Sequence, residues 1–347
     1  MLLPRLVLPV LLLAFAVLPA SAVSFDCAQA KTPFEHAICD VPELSLADDR
    51  LAKTFATATG GLTKPALVAL RADQKRWLDF AQRACTDNAQ PMASGRYDED
   101  GGACLVDIFK SRSTALEQSR MIGGHRFYVL GIYGAVADPN EADNADSYWK
   151  VGTHELVYPM LDEDDPLFAA YEEYIGGRVD GLAQIVVDPE LGDEFNPAAN
   201  TDVTIKVNDI AGTNRITLLA TSYWYGHGAA HGNSTIRYLN YYVPEDREVV
   251  PEDIFAGNDW ASTLVDAAWE QLQVEHKEWL QVENAGDIAE LVVDPTRWSL
   301  SDDYGLVIQF QPYEVSAYAY GAPTITIPWD RLDAIKADTQ EAIRFGF

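Results

Sequence analysis

His227 and His231 stand four residues apart, the spacing at which two imidazoles on one helix face can share a metal ion. They lie, however, in Tyr225-Gly226-His227-Gly228-Ala229-Ala230-His231-Gly232-Asn233, between two strand-like runs, where a four-residue step does not set side chains side by side. A His231 hydrogen bond that fixes the Gly-rich turn is the better account. His154-Glu155 lacks the second His of a zinc-protease helix. The glycines are not followed by the Gly-Lys-Ser/Thr that opens a phosphate-binding helix. Neighbouring carboxylates such as Asp302 with Asp303, or the run Asp162, Glu163, Asp164 and Asp165, have the composition of a glycosidase acid and base. With 53 Asp and Glu in the chain such adjacency is expected by chance, and the chemistry depends on separation in space. The stretch from Asp138 to Asp146 offers oxygen ligands but no Gly at the sixth position of a calcium loop. These residues predict no metal, no cofactor and no catalytic site.

Recognition is the other chemistry on offer. Tyr223, Trp224 and Tyr225, and again Tyr313, Tyr318 and Tyr320, interleave aromatic rings with small and polar residues. Such side chains anchor interfaces because they bury a large area at little entropic cost. Alternation along a strand turns about half of them outward. The partner-binding candidates are therefore Tyr225, His227, His231 and Asn233 around the Gly-rich loop, with Tyr313, Glu314, Tyr318 and Tyr320 in the second segment.

The elements that must position them divide into two textures. Residues 23–120 read as a helical bundle. Asp40-Val41-Pro42-Glu43 has the pattern of a capped helix start, and Leu44, Leu51 and Phe55 share a face up to Gly60-Gly61. A second helix from Thr63 places Leu67, Leu70, Trp77, Leu78 and Ala81 at three- and four-residue steps. The polar stretch 88–102 reads as a loop before a third helix with Leu105, Ile108, Phe109 and Leu116. Residues 121–347 read as strands: 126–133, 154–158, 203–207, 216–225 and 234–243 are rich in β-branched and aromatic residues. Helices interrupt them after Asp165-Pro166, after Asn258-Asp259-Trp260 with Leu264, Ala268, Leu272 and Trp279, and after Pro328. Strands and helices in runs predict an α+β fold, with an N-terminal disulfide-stapled bundle followed by an antiparallel sheet and packed helices.

Composition bounds the partner. The chain has 347 residues, 53 Asp and Glu against 25 Lys and Arg, and a formal charge of −28. That field repels phosphate backbones and anionic lipid, which excludes nucleic acid, and it attracts basic proteins. Arg5, the apolar run 6–17 and Ala20-Ser21-Ala22 read as a secretory signal peptide over residues 1–22. Cleavage would remove one of the 25 cations and none of the acids, leaving no membrane span and a periplasmic or secreted protein. Cys27, Cys39, Cys85 and Cys104 form an even set in an exported chain, which predicts two disulfides. Three pairings are open; Cys27 with Cys39 and Cys85 with Cys104 is favoured because each closes a local loop.

Two resemblances follow. The run from Phe25-Asp26-Cys27-Ala28 to Thr32-Pro33-Phe34-Glu35-His36-Ala37-Ile38-Cys39, with Pro42-Glu43-Leu44, Asp49-Arg50-Leu51, Gln74-Lys75-Arg76-Trp77-Leu78 and the later cysteines, resembles the N-terminal domain of LprI-type lysozyme inhibitors over about residues 25–120. The Gly-rich loop with Leu239-Asn240-Tyr241 and 249–255, and above all 304–315 with Tyr318-Ala319-Tyr320-Gly321 and 325–328, resembles the extracellular domain of RsiV-type anti-sigma factors, which also occurs in PdaC-type peptidoglycan deacetylases. This second likeness covers about residues 125–345. No sigma-binding segment or deacetylase domain accompanies it. The two resemblances imply a cationic lysozyme as partner and inhibition by steric occlusion, with peptidoglycan fragments as the alternative ligand.

Overall fold

The computed structural model describes residues 24–144, 147–188 and 194–347, so the leader-like segment 1–22 lies outside it, as do Ala145 and Asp146 of the acidic stretch. Helix α1 (Pro33–Asp40) starts at a reciprocal cap: the Thr32 hydroxyl accepts from the Glu35 N–H at 3.2 Å, and the Glu35 carboxylate accepts from the Thr32 N–H at 2.9 Å. The cap expected at Asp40 is not made. Asp40 is the last residue of α1, and α2 (Pro42–Thr59) begins after Val41 with no side-chain cap. Val41 precedes a proline and is held extended, so one residue suffices to turn the chain between the helices. Helices α3 (Lys64–Ala84) and α4 (Glu99–Leu116) follow; the Asp98 carboxylate accepts from the Gly101 N–H and starts α4 early, so the last four residues of the expected loop, 99–102, are helical. The disulfides are Cys27–Cys39 and Cys85–Cys104.

The main sheet runs β1 (Met121–Ile122), β2 (His125–Ala137), β3 (Val151–Leu161), β6 (Ala199–Ala211), β7 (Arg215–Gly226), β8 (Asn233–Tyr242) and β9 (Arg247–Glu248) in spatial order. Between β3 and β6 the chain forms α5 (Tyr171–Val186) and the short pair β4 (Val187–Asp188) and β5 (Glu194–Phe195). That excursion lets β6 return parallel to β3, while the other neighbours in the sheet are antiparallel. After β9 come α6 (Pro251–Ile254), α7 (Trp260–His276), α8 (Ala289–Val292), a three-stranded sheet of β10 (Trp298–Ser299), β11 (Gly305–Gln309) and β12 (Thr324–Pro328), and α9 (Gln340–Phe345). Among the described residues no helix is long and apolar enough to cross a membrane.

Two buried apolar clusters result. One joins helix residues such as Leu70, Trp77 and Phe109 to strand residues such as Phe127, Leu156, Val203 and Leu218. The other gathers Leu264, Leu272, Trp298, Ile308 and Ile327. Under the helices, the fully buried Arg112 and Asp73 pair at 2.8 Å; Asp73 also accepts from the Gly131 N–H at 2.9 Å, and Arg112 donates to the Gln74 carboxamide oxygen at 2.9 Å and to the Tyr133 hydroxyl at 2.7 Å. Every charge there has a partner, which a buried pair requires. Between the clusters the seam is polar. The Gln311 carboxamide accepts from the Ile236 N–H at 2.8 Å and donates to the Ile236 carbonyl at 2.7 Å, standing where another strand would pair with the edge of β8. Asn240 donates to the Trp298 carbonyl at 3.0 Å, and Arg215 to the Ile343 carbonyl at 3.0 Å.

Candidate functional site

Gln311, fixed on β8, begins the loop that carries Tyr313. Glu314 closes this loop: its carboxylate takes both terminal nitrogens of the buried Arg297, at 2.6 and 2.7 Å, and accepts the Gln311 N–H at 2.6 Å. Glu314, expected at the partner surface, is thus committed to holding the loop. The consequence falls on Tyr313, whose φ of 71° lies in the left-handed region that residues with a Cβ seldom enter. Its side chain is turned outward and is 59% exposed.

From the other cluster, the β7–β8 loop reaches across to meet it. The His231 ring stacks on Tyr318 with centroids 4.1 Å apart, and its Nε2 lies 3.3 Å from the Tyr313 hydroxyl. Its Nδ1, 2.9 Å from the Gly232 carbonyl, must donate there, leaving Nε2 to accept from Tyr313. The Tyr318 hydroxyl donates to the same Gly232 carbonyl at 2.8 Å. A Cβ at Gly232 would meet the Tyr223 ring and hydroxyl, so that partly exposed side chain would have to swing aside. His231, Tyr313 and Tyr318 are therefore brought together from segments more than 80 residues apart.

Tyr320 leaves the same short turn (Tyr318–Tyr320) in its own direction. Its hydroxyl is 2.9 Å from Nδ1 of His276, whose Nε2 donates to the Thr324 carbonyl at 2.8 Å. The Tyr320 ring stacks on Trp279 at 5.1 Å and 22°. Sequence periodicity misses Trp279 as a surface residue because it lies seven residues after the buried Leu272, on what reads as one helix face. α7 ends at His276 and a tighter turn (Lys277–Trp279) swings the indole out, leaving it 58% exposed.

The remaining candidates lie apart from this cluster. Tyr225 donates to the Ala229 carbonyl at 2.9 Å and packs against Trp149. His227 faces inward: its side chain is 5% exposed, its Nε2 lies 3.2 Å from the Asn200 carboxamide oxygen and its Nδ1 3.5 Å from Asp138. The stacked Trp149 and the Asn200 carboxamide also line a polar cleft of ≈ 590 Å³ beside the Cys85–Cys104 disulfide. Asn233 is exposed at the start of β8 and caps its own neighbour, accepting from the Ser234 N–H at 3.0 Å. The structure thus splits the two histidines between opposite ends of their loop. Among the described residues no group of three or more His, Cys, Asp or Glu is placed to hold a metal ion.

What the geometry defines is a mixed α+β protein with two cores and an interlocked aromatic junction, suited to recognition by ring faces and hydroxyls. Within it, residues 252–330, which include the Tyr313 loop and Trp279, match the family model described as "Protein of unknown function (DUF3298)". Two solved structures are similar. One is a DUF3298 family member from Bacteroides fragilis, with a TM-score of 0.43 and 18% identity, covering 65% of this chain and 98% of that one. The other is a DUF3298 family protein from Pseudomonas aeruginosa, with a TM-score of 0.41 and 15% identity, covering 61% of this chain and 95% of that one. No curated protein matches the chain.

Proposed function

We propose that this is an exported protein of the cell envelope that binds a cationic lysozyme through the aromatic junction and inhibits it by steric occlusion. The observation that carries the reading is the junction itself: an outward phenol on an enforced backbone, locked to a second loop, in a chain of formal charge −28. Preorganised aromatic anchors supply affinity without an ordering cost on binding. The acidic field raises the encounter rate with a basic protein. The resemblances to LprI-type inhibitors and RsiV-type receptor domains support the same partner.

The test is binding of the oxidised protein to a c-type lysozyme at low and at physiological salt, with muramidase activity measured alongside. Binding that survives physiological salt and blocks activity is expected. Tyr313→Ala should weaken binding at least about tenfold if the phenol is a central anchor. Absence of specific binding would sink the proposal and favour peptidoglycan fragments as ligand.

A further inference from the structure

We infer that Trp279 and Tyr320 form a shelf that takes up an arginine or lysine side chain of the basic partner. The inference rests on the reading above and adds to it a subsite that no sequence pattern indicated.

The shelf is built rather than incidental. An exposed indole is expected to be mobile, yet Trp279 stacks on Tyr320, and Tyr320 is held by an imidazole fixed at both nitrogens. Residues whose orientation is locked by their neighbours are what a binding subsite requires. The turn that bears Trp279 is also tied to the Tyr313 loop. Leu280 pairs with Ser316 through the backbone, and the Gln281 N–H donates to the Val315 carbonyl at 2.9 Å. The pairing therefore sets Trp279 beside the segment that carries Tyr313, Tyr318 and Tyr320, within reach of one partner.

Charge selects the ligand. Residues 249–347 hold 18 Asp and Glu against 5 Lys and Arg. Of those five cations, Arg297, Arg331 and Lys336 are paired with Glu314, Glu270 and Glu341, Arg344 lies over the Trp329 ring, and Lys277 is exposed two residues before Trp279. Glu278, next to Trp279, is exposed and lacks an ion-pair partner among the described residues. An indole face carries the negative end of the ring quadrupole and is the best aromatic receptor for a cation. In a segment with 18 acids against 5 cations, such a ring face suits a guanidinium or ammonium rather than an anion.

The experiment compares the full oxidised chain with Trp279→Phe and Trp279→Leu, measuring affinity for a c-type lysozyme at physiological salt. Thermal midpoints serve as a check that each variant is folded. Phe keeps a ring and Leu keeps only apolar area. Retention of most of the affinity by Phe, with a loss of about 2- to 30-fold for Leu, is expected for a cation held on a ring face. Equal affinity for all three proteins, with the parent chain binding lysozyme, overturns the shelf and leaves the wider proposal standing. If the parent chain does not bind lysozyme, an octa-arginine peptide decides: binding that Trp279→Leu weakens supports the shelf, and unchanged or absent binding overturns it. Binding of an N-acetylglucosamine oligomer that depends on Trp279, without such dependence for either cationic probe, also overturns it, since the shelf would then serve a glycan.

Discussion

Tyr313 pays for its outward ring with a left-handed backbone, a conformation that costs a residue with a Cβ about 1 kcal/mol or more. Tyr313→Gly should therefore leave stability unchanged or slightly raised while removing the anchor. Denaturant unfolding beside lysozyme affinity separates the two effects, and a loss of stability would show that the ring serves packing. The clamp behind it behaves oppositely. Arg297→Met leaves Glu314 without its bidentate partner at a half-buried site and is expected to destabilise by about 3 kcal/mol, read as a lower denaturation midpoint. A third residue gives a pH signature. Burial, and then the Asp202 carboxylate opposite it, push Glu155 up to about 8 from 4.5, with Arg112 opposing them. The folded state thus holds this proton more tightly than the unfolded chain, so the contribution of Glu155 to stability falls as pH rises from about 4.5 through 8. Glu155→Gln should raise the thermal midpoint at pH 8.5 more than at pH 5. The same gain at both values would place the effect elsewhere.

At the scale of elements, strands β2, β3, β6, β7 and β8 could be read from sequence because runs rich in β-branched and aromatic residues between turn residues are a local signal. The helix starts were less legible. A capping pattern fits both Thr32 to Glu35 and Asp40 to Glu43, and only the first is used, since Asp40 is still inside α1. The junction depends on elements that do not belong to one another in sequence. Gln311 replaces a strand on the edge of β8, so Gln311→Leu leaves the Ile236 N–H and carbonyl without their partner. A loss of about 1–3 kcal/mol is expected, with faster amide exchange at Ile236 and its neighbours in β8. Unaltered exchange would mean that the carboxamide is not what protects the edge.

For the whole molecule, the acidic field and the anchors act on different rates. Raising salt should slow association with lysozyme far more than it speeds dissociation, because steering acts at long range whereas ring contacts hold the formed complex. Surface plasmon resonance over a salt series measures both, and a salt effect confined to dissociation would contradict the assignment. Composition, strand-rich runs and helix periods determined the α+β texture and the aromatic segments, and cysteine positions favoured the two local disulfides among three pairings, because each signal depends on neighbours along the chain. Tertiary structure alone decided that His227 turns inward while His231 meets Tyr313, that Glu314 is taken by Arg297, and that Trp279 leaves its apparent helix face to join Tyr320. Those outcomes rest on contacts between segments far apart in sequence, and the packing that selects one such contact over another is not encoded in local spacing.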